Sequence, residues 1–347
     1  MTDDHTAMHS ERDFIRQIQQ QARRARPDIQ LGIGDDAAVL IPADGRHLVA
    51  MSDALVEDVH FRRRYVPAEA IGHKALAVNL SDCAAMGATP RFGLVSLALP
   101  PDAQFMAEGI LAGLLALADQ VNVALVGGDT SASRHGLFID VCLIGDVPPG
   151  RAVRRSGARA GDVVFVSGSL GAAAAALQAF ERQRPLPDPD ARNRLLFPEP
   201  RLALGQYLAE QRLATAMLDL SDGLSLDLAR LCEASRVGVS LDALALPIAT
   251  AAYTVADHPE AARQLALDGG EDYELLFTVP PERADTVAAL SEAPAVGGVR
   301  LTRIGNITQD LELKLCFAGE TQPLPIRGYD HFAGPGDITR ETADNGV

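Results

Sequence analysis

The sequence of 347 residues predicts an α+β protein in two domains. Two observations carry this expectation. Strand-like and helix-like runs follow one another without the strict alternation that a doubly wound parallel sheet requires. One stretch, "VPPGRAVRRSGARAGD" (147–162), also loses apolar periodicity altogether: paired prolines, glycines and Arg151, Arg154, Arg155 and Arg159 replace it. The length suits two units, each with its own core. The expected division is residues 1–147, residues 148–335 and a polar tail at 336–347.

Each element has a local reason. A helix is expected at about 10–24, capped by Ser10, with Phe14, Ile15 and Ile18 on one face. "HLVAMSDAL" (47–55) reads as a strand running into a polar turn at Ser52–Asp53. "AIGHKALAVNLSDCAAMGATP" (70–90) reads as a mostly buried helix, stopped by Gly87 with Pro90 beyond. A further helix covers about 104–120. "VALVGGDT" (123–130) is a short apolar strand ending in two glycines and an aspartate, and "LFIDVCLIGDV" (137–147) is a long strand. Beyond the break, "VVFVSG" (163–168) is a strand, "AAAAALQAF" (172–180) a helix and 184–192 a loop. "ATAMLDLSDGLSLDLARLCEAS" (214–235) is a strand, a turn and a helix that buries Leu224, Leu228 and Leu231. Strands at 237–242 and 273–280 follow.

Composition narrows the partners. A net charge of −15 repels a nucleic-acid backbone, so none is expected as a partner. The start, "MTDDHTAMHSERD", has neither the basic nor the apolar region of a signal peptide. The longest apolar stretch, 109–118, is too short to cross a bilayer, so no membrane partner is expected. Cys83, Cys142, Cys232 and Cys316 are scattered with no CxxC, as in reduced thiols of a cytoplasmic protein rather than a zinc site.

The acidic residues are not scattered. Asp53, Asp129 and Asp219 each follow a short apolar run, and Asp36 leads into one within "LGIGDDAAVLIP" (31–42). Asp222 lies three residues past Asp219, at the start of a helix. Polar side chains at strand ends can converge on one point while the strands stay buried. Asp82 sits inside an apolar helix, where an unpaired charge costs roughly several kcal/mol. Converging carboxylates call for cations, and oxygen-only donors suit Mg2+, Mn2+ or Ca2+. Mg2+ commonly bridges carboxylates to phosphates, so the pattern points to phosphate chemistry. Gly127 and Gly128 let backbone approach a ligand closely. There is no GxxxxGK[ST], which excludes a Walker P-loop. "SGSLGAAAAA" (167–176) is a candidate phosphate-holding helix start, and the arginine run offers a phosphate clamp.

"GIGDDAAVL", "DALVEDVHF", "KALAVNLSDCAAMGATP", "VGGDT", "RRSGARAGD", "LDLSDGLSLDL" and "GGEDYELLF" occur in this order, with "GYDHF" closing the series. By these motifs the chain closely resembles the thiamine-monophosphate kinase family, within the superfamily of ATP-binding aminoimidazole-ribotide-synthetase-like proteins. The resemblance covers about residues 10–333. It implies phosphorylation of thiamine monophosphate by ATP to give thiamine diphosphate, in thiamine diphosphate biosynthesis. By residue matching, Asp36, Ser52, Asp53, Asp82, Asp129, Asp219 and Asp222 are implied ligands of several Mg2+ ions. Gly128, Asp129, Arg155 and Ser221 are implied ATP contacts, and His60, Glu271 and Tyr329 are implied to line the thiamine monophosphate site. Met51 stands where relatives offer a hydroxyl, and a thioether is a poor Mg2+ ligand. Asp35 orients the turn or binds through water.

The resemblance further implies an N-terminal domain whose sheet pairs with that of a second subunit, a C-terminal α/β sandwich domain, and hence a homodimer. The acceptor is a phosphate monoester whose second pKa is about 6, so it needs no general base. Direct in-line transfer, assisted by metal and Arg155 without a catalytic base, is therefore expected. The alternatives are another ATP-using enzyme of the superfamily or a non-catalytic nucleotide or metal sensor.

Overall fold

The computed structural model describes residues 20–21, 26–31, 39–43, 45–184 and 188–329. Most of the helix expected at about 10–24, the glycine turn with Asp35 and Asp36, and the polar tail lie outside the described residues.

Two sheet-containing domains with mixed helices and strands make up the chain, so the α+β class stands. A short pair, β1 (Ile29–Leu31) and β2 (Val39–Leu40), precedes the first main sheet. That sheet has four strands: β3 (His47–Val56), β4 (Thr89–Leu99), β5 (Ala124–Ala132) and β6 (Phe138–Val147), in the order β3-β6-β4-β5. The β4–β5 pair is parallel and the others are antiparallel. Helices α1 (Ala68–Ala85) and α2 (Ala107–Gln120) pack together on this sheet.

Helix α1 is buried on nearly every side, because the first sheet, α2 and the second domain all press on it. Its contacts are backbone to backbone. A Cβ on Gly72 would sit 1.8 Å from the Ile110 carbonyl oxygen, and one on Gly113 of α2 would sit 1.9 Å from that of Glu69. Glycine is the only residue that fits these crossings.

The second sheet has seven strands: β7 (Val163–Ser167), β8 (Ala216–Asp219), β9 (Gly238–Asp242), β10 (Leu275–Val279), β11 (Leu301–Thr308), β12 (Leu313–Phe317) and β13 (Glu320–Pro323). Their order is β13-β12-β9-β11-β7-β10-β8. Helices α3 (Ala172–Glu181), α4 (Pro189–Leu196), α5 (Leu202–Glu210), α6 (Leu224–Ser235), α7 (Thr250–Val255), α8 (Pro259–Asp268) and α9 (Pro281–Ala288) accompany it. The central strands are buried on both faces, which is why they read as unbroken apolar runs. Val164, Val166, Leu218 and Leu276 join one core, while Phe165, Met217, Leu275 and Phe277 join another. Phe165 and Phe277 stack at 5.5 Å. Residues 148–162 contain no helix or strand.

Several local expectations are corrected. Ser52 and Asp53 form no turn: they lie inside β3, because β6 pairs with that strand along its whole length. Asp129 likewise sits within β5 rather than after it. Pro90 lies beyond the end of α1, as expected, and there enters β4 beside a register shift, a place where a strand tolerates proline. The loop expected at 184–192 turns helical from Pro189, where the Asp188 side chain caps α4 by accepting from the Asp190 amide at 2.9 Å.

The glycine crossing has a diagnostic sign. On propensity alone Gly72→Ala would stabilise a helix by about 1 kcal/mol. The clash with Ile110 should reverse this and cost about 2 kcal/mol or more, read as a lower urea midpoint. A raised midpoint would show that the helices do not touch here.

Candidate active site

The two domains meet over α1, and carboxylates gather at the junction. Asp82 comes from α1, Asp53 from β3 and Asp219 from the last position of β8. The Asp53 and Asp82 carboxyls lie side by side, close enough to perturb each other directly. Asp219 is buried and accepts from Ser81 Oγ at 2.6 Å.

These groups hold protons more tightly than ordinary carboxyls. Asp53 is pushed up to about 6, first by loss of solvent around its carboxylate and then by the charges of Asp219, Asp140 and Asp222. This occurs although the residue as a whole keeps exposed surface. Burial, then Asp53, pushes Asp82 up to about 6, and Arg155 opposes this. Burial, then Asp82, raises Asp219 to about 7, against the Ser81 hydrogen bond and Arg155. Both domains thus contribute to a shared negative field with Arg155 beside it.

The second domain extends the cluster through its turns. Asp222 Oδ2 pairs with Arg230 Nη1 at 2.5 Å, and the same nitrogen reaches Asp227 Oδ1 at 2.8 Å. Asp227, in the first turn of α6, accepts from the amides of Ser221 and Asp222 at 3.1 and 3.0 Å. The turn is bonded to "GGEDY" by backbone. The Glu271 amide donates to the Ser221 carbonyl and the Tyr273 amide to that of Leu220, both at 2.8 Å. The Tyr329 amide donates to the Asp222 carbonyl at 3.1 Å. Glu271 and Tyr273 have φ of 70° and 48°, a left-handed backbone that costs about 1 kcal/mol or more at each non-glycine residue.

Lys74, on α1 and only 3% exposed, joins this segment to the first domain. Its Nζ donates to Glu271 Oε1 at 2.5 Å and to the His60 carbonyl at 3.5 Å. His60 Nδ1 accepts from the Val56 amide at 3.0 Å, which fixes the ring beside the end of β3.

Of the residues singled out from sequence, Ser52, Asp53, Asp82, Asp219, Ser221, Asp222, Arg155, His60, Glu271 and Tyr329 fall around this junction. Gly128 and Asp129 do not. The register runs Asp53, Val141, Val95, Gly128 across the sheet. At three strand spacings, Gly128 lies about 14 Å from Asp53. Asp36 lies outside the described residues. Sequence reasoning missed Lys74, Asp140, which accepts from Ser52 Oγ at 2.9 Å, and the Arg230–Asp227 pair. Lys74 carried a legible signal, being a charge inside the same apolar helix as Asp82.

The donors fit a hard divalent cation. All are oxygens, they repel one another, and Mg2+ keeps much of its water shell and so needs few protein ligands. Among the described residues no group of three or more acidic, His or Cys side chains is already drawn into a closed metal site. A cavity of about 450 Å³ adjoins Asp82 and Asp219, with Arg155 at its edge and Met51, Met86 and Met217 among its walls.

Two family descriptions match the chain: AIR synthase related protein, N-terminal domain, over residues 34–147, and its C-terminal domain over 159–316. The thiamine-monophosphate kinase of Escherichia coli (strain K12) is 40% identical over 319 residues, covering 90% of this chain and 95% of that protein. The chain belongs to the thiamine-monophosphate kinase family. The family member from Stenotrophomonas maltophilia K279a has a solved structure that is 40% identical. It matches with a TM-score of 0.77, covering 89% of this chain and 95% of that one. AaThiL, complexed with AMPPCP and TMP, is 31% identical with a TM-score of 0.72, covering 93% of this chain and 97% of that one.

The raised carboxyls fix the sign of a pH effect. Each keeps its proton in the folded chain at pH values where the unfolded chain has lost it. Their stabilisation is present below about pH 4 and is lost as pH rises through about 6 to 7. Asp219→Asn removes one titration and keeps an acceptor for Ser81. Relative to the native metal-free protein it should melt about 2–4 °C higher at about pH 8, show a smaller gain at about pH 5 and none below about pH 4. Equal loss at both pH values would contradict the repulsion.

Proposed function

We propose that the chain transfers the γ-phosphoryl group of ATP directly to thiamine monophosphate, giving thiamine diphosphate and ADP, with Mg2+ required. One observation carries the reading: Asp53 and Asp82 of the first domain and Asp219 and Asp222 of the second face a common field, with Arg155 beside it. Relatives named thiamine-monophosphate kinase, and AaThiL with its AMPPCP and TMP, support the reaction.

In this reading Asp36, Ser52, Asp53, Asp82, Asp129, Asp219 and Asp222 hold Mg2+. Bound Mg2+ supplies positive charge that lets two polyanions approach and offsets charge on the transferring oxygens. Gly128, Asp129, Arg155 and Ser221 contact ATP, and His60, Glu271 and Tyr329 contact thiamine monophosphate. The acceptor phosphate, with its second pKa of about 6, attacks without a base. Lys74 neutralises Glu271, so that carboxylate lines the acceptor site without repelling a phosphate.

A homodimer belongs to the same proposal, as do domains at 1–147 and 148–335. Among the described residues, strands β3 and β5 are the two edge strands of the first sheet, and they carry Asp53 and Asp129 respectively. A twofold pairing that sets β5 of a second copy against β3 brings that copy's Asp129 towards Asp53. A cytoplasmic location is supported by the four unpaired cysteines. No helix among the described residues is long and apolar enough to cross a membrane.

Purified protein given ATP, Mg2+ and thiamine monophosphate should form thiamine diphosphate, and chelation of Mg2+ should stop it. ATP binding without product would favour a sensor instead. Asp53→Asn should lower kcat by about a hundredfold or more. Mixing refolded Asp53→Asn and Asp129→Asn subunits should restore about a quarter of native activity, since half the dimers are mixed and each mixed dimer has one intact site. No recovery on mixing would place both residues in a single-chain site.

A further inference from the structure

The acceptor end of the proposed site is built from two segments far apart in the chain. One is "GGEDY" of the second domain, with Glu271. The other runs from the end of β3 to Tyr65 in the first domain, with His60. Lys74 bridges them directly, and helix α3 also touches both. The start of α3 holds the first segment. Sequence offers this Gly-rich start to a phosphate, but the protein's own carboxyl fills it. The Gly171 amide donates to Asp272 Oδ1 at 3.1 Å and to Oδ2 at 2.9 Å. Burial pushes the Asp272 carboxyl up to about 8, and the amides of Gly171 and Ala173 oppose this. Glycine is needed on both sides of the contact. Gly171 has a φ of 83°, and a Cβ there would meet the α8 backbone at 2.9 Å. A Cβ on Gly269 would stand 2.5 Å from that of Ala174 in α3.

The far end of α3 holds the second segment. Phe180 stacks on Tyr65, with ring centroids 4.7 Å apart and planes at 5°. Glu181 accepts from the Tyr65 hydroxyl at 3.1 Å, pairs with Arg64 Nη2 at 2.7 Å and also pairs with Arg62. Tyr65 lies five residues past His60. Between its ends α3 is mostly alanine, the strongest helix former, and five of its alanines are buried. Helices α4 and α7 pack along it. A helix of about 15 Å, so packed, keeps its ends at a fixed separation.

We propose that α3 is a strut that sets the spacing between the two halves of the acceptor site, with Asp272 and Glu181 as positioning residues at its ends. The inference rests on the proposed contacts of His60 and Glu271 with thiamine monophosphate. Asp272 follows Glu271 directly, so its bond to the helix start places that carboxylate. Glu181 holds the chain just past His60. Two groups from different domains that must meet one small ligand tolerate little change in their separation. None of the implied ATP contacts, Gly128, Asp129, Arg155 and Ser221, lies on either held segment. Acceptor binding is therefore the property that α3 controls.

Calorimetric titration of the full chain with Mg2+ present would compare thiamine monophosphate with AMPPCP. Asp272→Ala should weaken thiamine monophosphate by about tenfold and leave AMPPCP within about twofold of native. Asp272→Asn keeps an acceptor for the Gly171 amide and should bind thiamine monophosphate within about threefold of native. Glu181→Ala loses partly exposed ion pairs and the Tyr65 bond, and should weaken thiamine monophosphate by about threefold. Independent losses would multiply to about thirtyfold in the double variant. A strut already released at one end transmits nothing, so the double variant should stay near about tenfold. Multiplied losses, equal weakening of both ligands, or no rescue by Asp272→Asn overturns the strut. If Asp272→Ala does not fold, Glu181→Ala decides: selective weakening of thiamine monophosphate supports the strut and unchanged binding overturns it. A native protein that binds AMPPCP but no thiamine monophosphate overturns the acceptor reading and the strut with it. Native binding with unaltered variants overturns the strut alone.

Discussion

A helix buried on every side can carry a charge only where a partner has been built for it. Helix α1 carries two such charges, and both partnerships reach beyond the helix. Lys74 binds Glu271 of the second domain, while the charge of Asp82, disfavoured by Asp53 of β3 beside it, is offset by Arg155 of the interdomain stretch. Between them, Ser81 donates to Asp219 of β8. The apolar surface of α1 draws the two domains together without direction. The polar contacts fix which residues face which, since any other register would strand a lysine or an aspartate in apolar surroundings at a cost of several kcal/mol, roughly. Glycine at the α1–α2 crossing permits this by letting the helices approach at backbone distance.

The segment that carries Glu271 depends on the same helix. Glu271 and Tyr273 adopt left-handed backbone, and nothing local in "GGEDYE" would hold two non-glycine residues there. Bonds to the carbonyls of Leu220 and Ser221 hold the backbone, and Lys74 holds the side chain of Glu271. Strain of this kind persists only where the surroundings over-determine it. Here the surroundings are a strand end, a turn and a buried ammonium drawn from distant parts of the chain.

The sequence was legible where local physics decides. The continuous apolar runs of β7, β8 and β10 announced strands, and the structure buries them on both faces. Asp82 announced itself by the energy its burial would otherwise cost. The same argument applied to Lys74, eight residues earlier, shows what the sequence offered and the aspartate pattern obscured. Other features were set by distant partners. Ser52–Asp53 looked like a turn because its residues are polar, yet a ten-residue ladder with β6 keeps the strand extended. Pro90 marked the region beyond the helix end, but its place inside β4 depends on a register shift opposite β6 that sequence does not reveal. The motif "VGGDT" gave no clue that Asp129 lies across the sheet from Asp53, because strand order is a long-range property. Arg230 was invisible for the same reason, its pairing with Asp222 following from the turn before α6.

The mutual repulsion of Asp53, Asp82 and Asp219 also bears on how long the protein survives. Folding forces these carboxylates together against their preference for water, so the unliganded chain carries an internal load that packing elsewhere must hold. A cation bound only by the folded form removes part of that load and shifts the balance away from open, protease-sensitive states as its free concentration rises. Under the proposed metal dependence, ion supply acts on turnover of the chain as well as on chemistry, so that scarcity of the metal thins the population of molecules before substrate becomes limiting.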